Sequence, residues 1–225
     1  MRRALLDRIL AERAARRAFV VATRLADGEQ RLVMDDDDAT ADPIVVPARA
    51  AMVKDLAETI ELADGAWLLA PESPPVRLVV IGAVHTTQLL VPMARLLDLE
   101  VTIIDPRRAF GTLERFPDVT LIDDWPEPAL ARLGLDRRTA VVALTHDRKI
   151  DEPALALALR SPAFYIGALG SRKTQEARRA RMRETFTDVE LARIHGPIGL
   201  PIGARSPAEV ALAILAELVA ALRRP

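Results

Sequence analysis

The chain has 225 residues, 50% of them hydrophobic and 28% charged, which is enough for a domain of about 150 residues with a smaller one attached. Thirty-one basic residues against 32 acidic ones leave a formal net charge of −1, so no overall field draws in nucleic acid or anionic lipid. No apolar run approaches the roughly 20 residues of a membrane helix, and the lack of cysteine excludes disulfides, thiolate metal ligands and sulfur chemistry on the chain's own thiols. The basic N-terminal stretch has no uninterrupted apolar block of the secretory kind, so a cytoplasmic location is expected.

From Arg3 to Arg16, Leu5, Leu6, Ile9 and Leu10 recur at helical spacing among arginines, which predicts an amphipathic helix. The stretch FVVATRLADGEQRLVM follows, with two β-rich runs around Asp27-Gly28, and predicts a hairpin. The acidic run Asp35 to Asp38 lacks the alternating ligands and distant glutamate of a calcium loop and reads as solvated. A helix over about Ala48 to Leu62 and a short strand AWLLA complete a small α+β unit over residues 1–71. PESPP, Pro71 to Pro75, is then a stiff linker.

Beyond the linker, over residues 76–225, short β-branched runs alternate with helical stretches: VRLVVIG, EVTIID, VTLID, TAVVALTH and AFYIG are strands, and a long helix ends the chain. This pattern predicts an α/β domain, a doubly wound parallel sheet of Rossmann type covered on both faces. Ligands bind such sheets outside the strands' carboxyl ends, at the crevice where strand order reverses. With strand order 3-2-1-4-5, the loops Gly82 to His85 and Thr145 to Asp147 face each other across that crevice.

The first loop is a partial dinucleotide fingerprint. Gly82 makes the tight turn, and Asp105, 23 residues later, stands where an acid holds ribose hydroxyls. Val84, however, occupies the position of the second glycine and Thr87 that of the third. A branched side chain at Val84 obstructs backbone approach to a pyrophosphate, so standard NAD(P) binding is expected to be impaired. In YIGALGSRKTQ, Gly167 and Gly170 predict a turn and Ser171 a cap for the next helix, with Arg172 and Lys173 adding positive charge, a combination suited to a phosphate. The competing reading is an ordinary glycine turn before a basic helix face. In HGPIGLPIGARSPAEVA, Ser206, Pro207 and Glu209 predict a capping box. Gly199, Gly203 and Arg205 just before it offer another anion contact, or simply close the domain. His85, His146 and Asp147 line the predicted crevice for proton transfer or hydrogen bonding. As a metal site they fail, because adjacent His146 and Asp147 on an extended segment point apart. No nucleophile elbow or P-loop lysine motif is present, so no catalytic team for acyl transfer emerges.

VVIGAVH, VTIIDPRRAF, FPDVTLIDDWP, AVVALTHDRKIDEPALALAL, SPAFYIGALGSRKT and LARIHGPIGLPIGARSPAEVALAILAEL, in that order, resemble the C-terminal Rossmann domain of the XdhC/CoxI family. The resemblance covers about Val76 to Leu222. It implies an accessory protein for molybdenum hydroxylases such as xanthine or carbon monoxide dehydrogenase, which binds molybdenum cofactor, supports its sulfuration and delivers it to the target enzyme. By position it carries over Gly82, Ala83 and His85, then Thr145, His146 and Asp147, then Gly167 to Arg172 and Gly199 to Glu209, with Ser206 for the usual threonine. Val84 replaces the family's glycine. The N-terminal unit lacks the usual GSxPRxxGAxM segment, and the family's frequent functional cysteine is missing. The rival readings are an NAD(P)-dependent oxidoreductase using Asp105, and an interaction module that binds no small molecule. A molybdenum hydroxylase is the expected partner, and the apolar final helix leaves a homodimer seam open.

Overall fold

A computed structural model describes residues 2–223. The chain divides into two compact units, one ending at Pro74 and the other beginning at Pro75.

The first unit contains helix α1 (Arg3–Ala14), strands β1 (Phe19–Arg24) and β2 (Gln30–Met34), helix α2 (Val45–Lys54), and strands β3 (Glu58–Leu62) and β4 (Gly65–Glu72). Its antiparallel sheet runs β2-β1-β4-β3. The expected hairpin is present: Thr23 pairs with Gln30 and Phe19 with Met34, around a turn in which Gly28 has φ 73°. The expected helix over 48–62 is not. It stops at Lys54, where Asp55 adopts a left-handed conformation (φ 54°), and the alternating ETIEL pairs with β4 as an edge strand. Thr59 and Ile60 are β-branched, and the period of two in that segment outweighs helical spacing. Pro71 also belongs to strand rather than linker. It pairs with Val20 at the end of β4 beyond the reach of β3, where its missing N–H costs no ladder bond.

The second unit is the doubly wound domain. Its strands are β5 (Arg77–Ile81), β6 (Glu100–Ile104), β7 (Thr120–Ile122), β8 (Thr139–Ala143), β9 (Tyr165–Ala168) and β10 (Ile194–His195); its helices are α3 (His85–Leu96), α4 (Pro126–Leu133), α5 (Arg148–Leu159), α6 (Arg172–Met182), α7 (Asp188–Leu191) and α8 (Pro207–Leu222). The parallel sheet runs β10-β9-β8-β5-β6-β7, the expected order with the two-residue β10 added at one edge. Alternate residues of β5 enter opposite cores. Leu78 and Val80 pack with Leu90, Ile214 and Leu218 under α3 and α8, whereas Val79 and Ile81 pack with Leu130, Ile150 and Leu155 under α4 and α5. The apolar side of α8 is thus taken up inside its own domain: Ala211, Ala213, Ile214, Leu215 and Leu218 are all buried. Order reverses between β5 and β8, so the loops after these two strands flank the switch point.

Candidate functional site

In the turn after β5, the N–H and carbonyl of Gly82 and the N–H of Ala83 have internal partners. Gly82 has φ 117°, and a Cβ there would lie 2.7 Å from Thr145 Cγ2, so glycine serves both the turn and the close approach of the loop after β8. The Gly82 N–H donates to Ile104 O at 2.9 Å, and its carbonyl accepts from the fully buried Thr87 hydroxyl at 2.6 Å. Thr87, at the third-glycine position, is therefore a strut of the turn. Val84 is the uncapped N-cap of α3, and its half-buried side chain packs on the core beneath α3 and α8. His85 begins the helix, exposed, with Nδ1 3.4 Å from Gln88 Oε1.

Asp105, at the end of β6, is 3% exposed. Its Oδ2 accepts from the Ala83 N–H at 2.8 Å, and Arg107 grips both oxygens, with Nε 2.8 Å from Oδ1 and Nη2 2.8 Å from Oδ2. Burial by itself would push this carboxyl up. The bonds from Arg107 and from the amides of Ala83 and Arg107 outweigh it and hold the group below the ordinary carboxylate range. Sequence reasoning places Asp105 on a ribose. The structure instead commits both of its oxygens to the Ala83 amide and to Arg107. Arg107 is a residue that sequence reasoning misses. Its only signal is the arginine two residues past an acid at a strand end, in DPRR.

Across the switch point, the Thr145 hydroxyl donates to Asp151 Oδ1 at 2.7 Å, and Thr145 Oγ1 accepts from the Asp147 N–H at 3.0 Å. This pulls the chain into a kink in which His146 takes φ 62°, exposed. Asp147 points elsewhere: its carboxylate caps α5 by accepting from Lys149 N at 2.9 Å. The segment is a left-handed kink at His146 and not the extended run expected from the sequence, and among the described residues no group of three or more His, Cys, Asp and Glu could hold a metal ion. Asp151 is completely buried, and its Oδ2 has no hydrogen-bond partner among the described residues; the nearest cation is Arg178, with Nη2 4.0 Å away. Burial pushes the Asp151 carboxyl up, more than Thr145 and Arg178 pull it down. Arg178, itself 4% exposed, bonds Gln175 and the Leu169 carbonyl, and Gln175 donates to Ala168 O at 2.8 Å. A buried polar chain therefore ties the loop after β8 to the loop after β9.

That second loop differs from its expected form in one respect. Gly167 lies inside β9, paired with Val142 and His195, and a Cβ there would come within 2.4 Å of Ile198 Cδ1. Its glycine serves packing and not a turn. The turn itself is at Gly170 (φ 134°), and Ser171 caps α6 by accepting from the Thr174 N–H at 3.3 Å. Arg172 and Lys173 follow, both exposed, and neither side chain has a hydrogen-bond or ion-pair partner among the described residues. The start of α8 is the opposite case. Its capping box is complete, and Glu209 accepts from the Arg205 and Ser206 N–H groups at 2.7 and 2.9 Å, so its own carboxylate fills that anion position. Gly199 (φ 93°) donates to Glu217 Oε2 at 2.8 Å, while Gly203 and Arg205 lie nearer the surface. Glu217 also accepts from the Tyr165 hydroxyl at 2.6 Å and lies 3.0 Å from His195 Nδ1. Burial raises the Glu217 carboxyl, but these bonds prevail and leave it below its ordinary value; the buried Tyr165 phenol is pushed far up.

These features define a Rossmann-type domain whose first turn gives the Ala83 amide to its own carboxylate, with an uncompensated cationic helix start further along the same carboxyl rim. The chain belongs to the XdhC Rossmann domain family, which matches residues 78–218. It is 38% identical over 92 residues to the molybdenum cofactor insertion chaperone PaoD of Escherichia coli K12, covering 40% of this chain and 29% of that protein. It is 30% identical over 152 residues to a probable xanthine dehydrogenase component of Bacillus subtilis 168 (67% and 44%), and 31% identical over 144 residues to the uncharacterized protein YqeB of Escherichia coli K12 (64% and 27%). The alignments thus span less than half the length of these curated relatives. Its fold is shared with a Bacillus halodurans crystal structure described as a xanthine dehydrogenase, with a TM-score of 0.69 at 22% identity over 97% of this chain and 63% of that one.

Proposed function

We propose that the chain is an accessory factor for a molybdenum hydroxylase of the xanthine or carbon monoxide dehydrogenase type. It takes up molybdenum cofactor, or a related phosphate-bearing ligand, at the carboxyl rim of its parallel sheet and hands it to the partner enzyme in the cytoplasm. The observation that carries this reading is the start of α6: a neutral serine cap, main-chain N–H groups of the first turn and the side chains of Arg172 and Lys173, unpaired among the described residues. Such a site favours a single terminal phosphate. Names of relatives point the same way, since one of them is a molybdenum cofactor insertion chaperone.

The residues present suit that cargo. Molybdenum cofactor has one terminal phosphate and no pyrophosphate, so the Ala83 amide that Asp105 occupies is not needed for it. Gly170 shapes the loop, Ser171 fixes the helix start, and Arg172 and Lys173 supply charge; His85, Thr145, His146 and Asp147 belong to the loops at the switch point. Gly199, Gly203 and Arg205 border the rim on the far side. Without a cysteine the chain contributes no thiol to cofactor sulfuration. The test is retention: after incubation with isolated molybdopterin and gel filtration, the chain carries pterin and molybdenum, and the double variant R172A/K173A does not. Equal retention by both proteins would overturn the placement.

A further inference from the structure

Away from the α6 loop, a cavity of about 250 Å³ opens at the carboxyl ends of β6 and β7. That is below the about 300–1,000 Å³ of drug-sized pockets and limits the occupant to one compact ring system. Ile103, Leu121 and Ile122 give it an apolar lining. Leu113, in the long connection between β6 and β7, also lines it, although 73% exposed. A leucine left so open beside an apolar recess is placed to cover a flat ligand face. At the open side, Arg108 Nε lies 3.0 Å from Asp123 Oδ2, and both side chains are largely exposed. Exposed pairs of this kind hold little energy, so either group is free to turn to a ligand.

We propose that this cavity binds a fused nitrogen heterocycle with a 2-amino-4-oxo edge, the edge shared by pterins and guanine. Such an edge presents, side by side, a carbonyl acceptor, a ring N–H donor and an amino donor. Asp123 meets the two donors with its two carboxylate oxygens, and Arg108 donates to the carbonyl. An adenine edge would set a ring lone pair against the carboxylate, and a hypoxanthine edge lacks the amino group, so the pair discriminates as well as binds. Asp105 also borders the cavity, but its oxygens are taken by Ala83 and Arg107.

Gly111 provides a direct handle. It lines the cavity, its φ needs no glycine, and a Cβ there would meet only Ala83 Cβ, at 3.9 Å. A Cβ is therefore accommodated there, and a branched side chain built on it would compete with the ring for the cavity. The proposal rests on the accessory-factor reading only for the source of the heterocycle. β6 and β9 are three strand spacings apart, about 14 Å, so ring binding and phosphate binding are separately measurable.

The experiment titrates the full chain with 6-hydroxymethylpterin, guanosine, adenosine and inosine, none of which carries a phosphate, by calorimetry. Pterin, guanosine or both bind, with adenosine and inosine at least about tenfold weaker. D123N weakens the favoured ligand about tenfold, and G111V abolishes binding with the melting temperature unchanged. Tighter binding of the pterin identifies the cofactor's own ring as the ligand, and tighter binding of guanosine identifies a guanine nucleotide. Equal affinity for adenosine and guanosine, undiminished binding by G111V, or no binding of either 2-amino-4-oxo compound at millimolar concentration would overturn the proposal. None of these results touches the α6 phosphate site, which inorganic phosphate reports on by itself.

Discussion

Arg107 closes its guanidinium on both oxygens of Asp105 while the same carboxylate takes the Ala83 N–H, all three contacts at 2.8 Å. Both oxygens of the carboxylate are thereby satisfied from within. Millimolar NAD or NADP is expected to leave the melting temperature of the chain unchanged, because the acid that would hold the ribose is already engaged by Arg107 and the Ala83 N–H. A rise of about 2 °C or more, the mark of ligand bound only to the folded state, would show that Arg107 gives way.

Asp105 should also matter for stability. Asp105→Asn keeps the shape but turns an amide group toward donors on Ala83 and Arg107. The expected loss is about 2–4 kcal/mol, the range for breaking a buried charged network, measured by urea unfolding at neutral pH.

Asp105 and Asp151 predict opposite pH behaviour. The folded-state pKa of Asp105 is lowered, so its contribution is present above the ordinary carboxyl value of about 4 and is lost as pH falls below it. The folded-state pKa of Asp151 is raised, so its contribution is present below about 4 and is lost as pH rises through the higher folded value. Relative to the wild type, D105N should therefore recover as pH falls and D151N as pH rises. Denaturation series between pH 3 and pH 8 would reveal the crossing trends, and parallel curves for the two variants would refute the assignment.

Two glycines provide a matched comparison. Gly82→Ala places a Cβ 2.7 Å from Thr145 Cγ2 at a φ of 117°, and should cost about 2–3 kcal/mol through strain and crowding together. Gly111→Ala meets nothing closer than 3.9 Å and should stay within about 0.5 kcal/mol of the wild type. Thermal unfolding of both variants tests the difference.

Much of the doubly wound domain is readable in the sequence because its central strands, β5 and β8, are continuous apolar runs buried on both faces, between helices with strong boundary signals. The Ser206–Glu209 capping box is one such signal. Elements whose information is not local are not readable. β10 has two residues and exists by pairing with β9, and β3 is an edge strand whose ETIEL competes with a preceding helix. At the site, Gly170 and Ser171 occupy the positions their chemistry suggests, whereas Gly167 serves the approach of Ile198, some 30 residues away in the chain. Asp151 looks like a first-turn helix acid, which usually faces water. Only the fold shows that it is buried against Thr145 and Arg178. The partners of Asp105 are hidden for a related reason: a side chain's reach across a strand end leaves no periodic trace.

The cationic start of α6 is proposed to hold the phosphate of a cofactor bound for a hydroxylase. The most direct test is the molybdenum content and activity of a partner hydroxylase matured in cells alongside either the wild-type chain or R172A/K173A. Both side chains are exposed and unpaired among the described residues, so the double variant should fold as the wild type does and melt within about 1 °C of it. A hydroxylase depleted in molybdenum and activity is expected with the double variant. A fully loaded, fully active hydroxylase would contradict it.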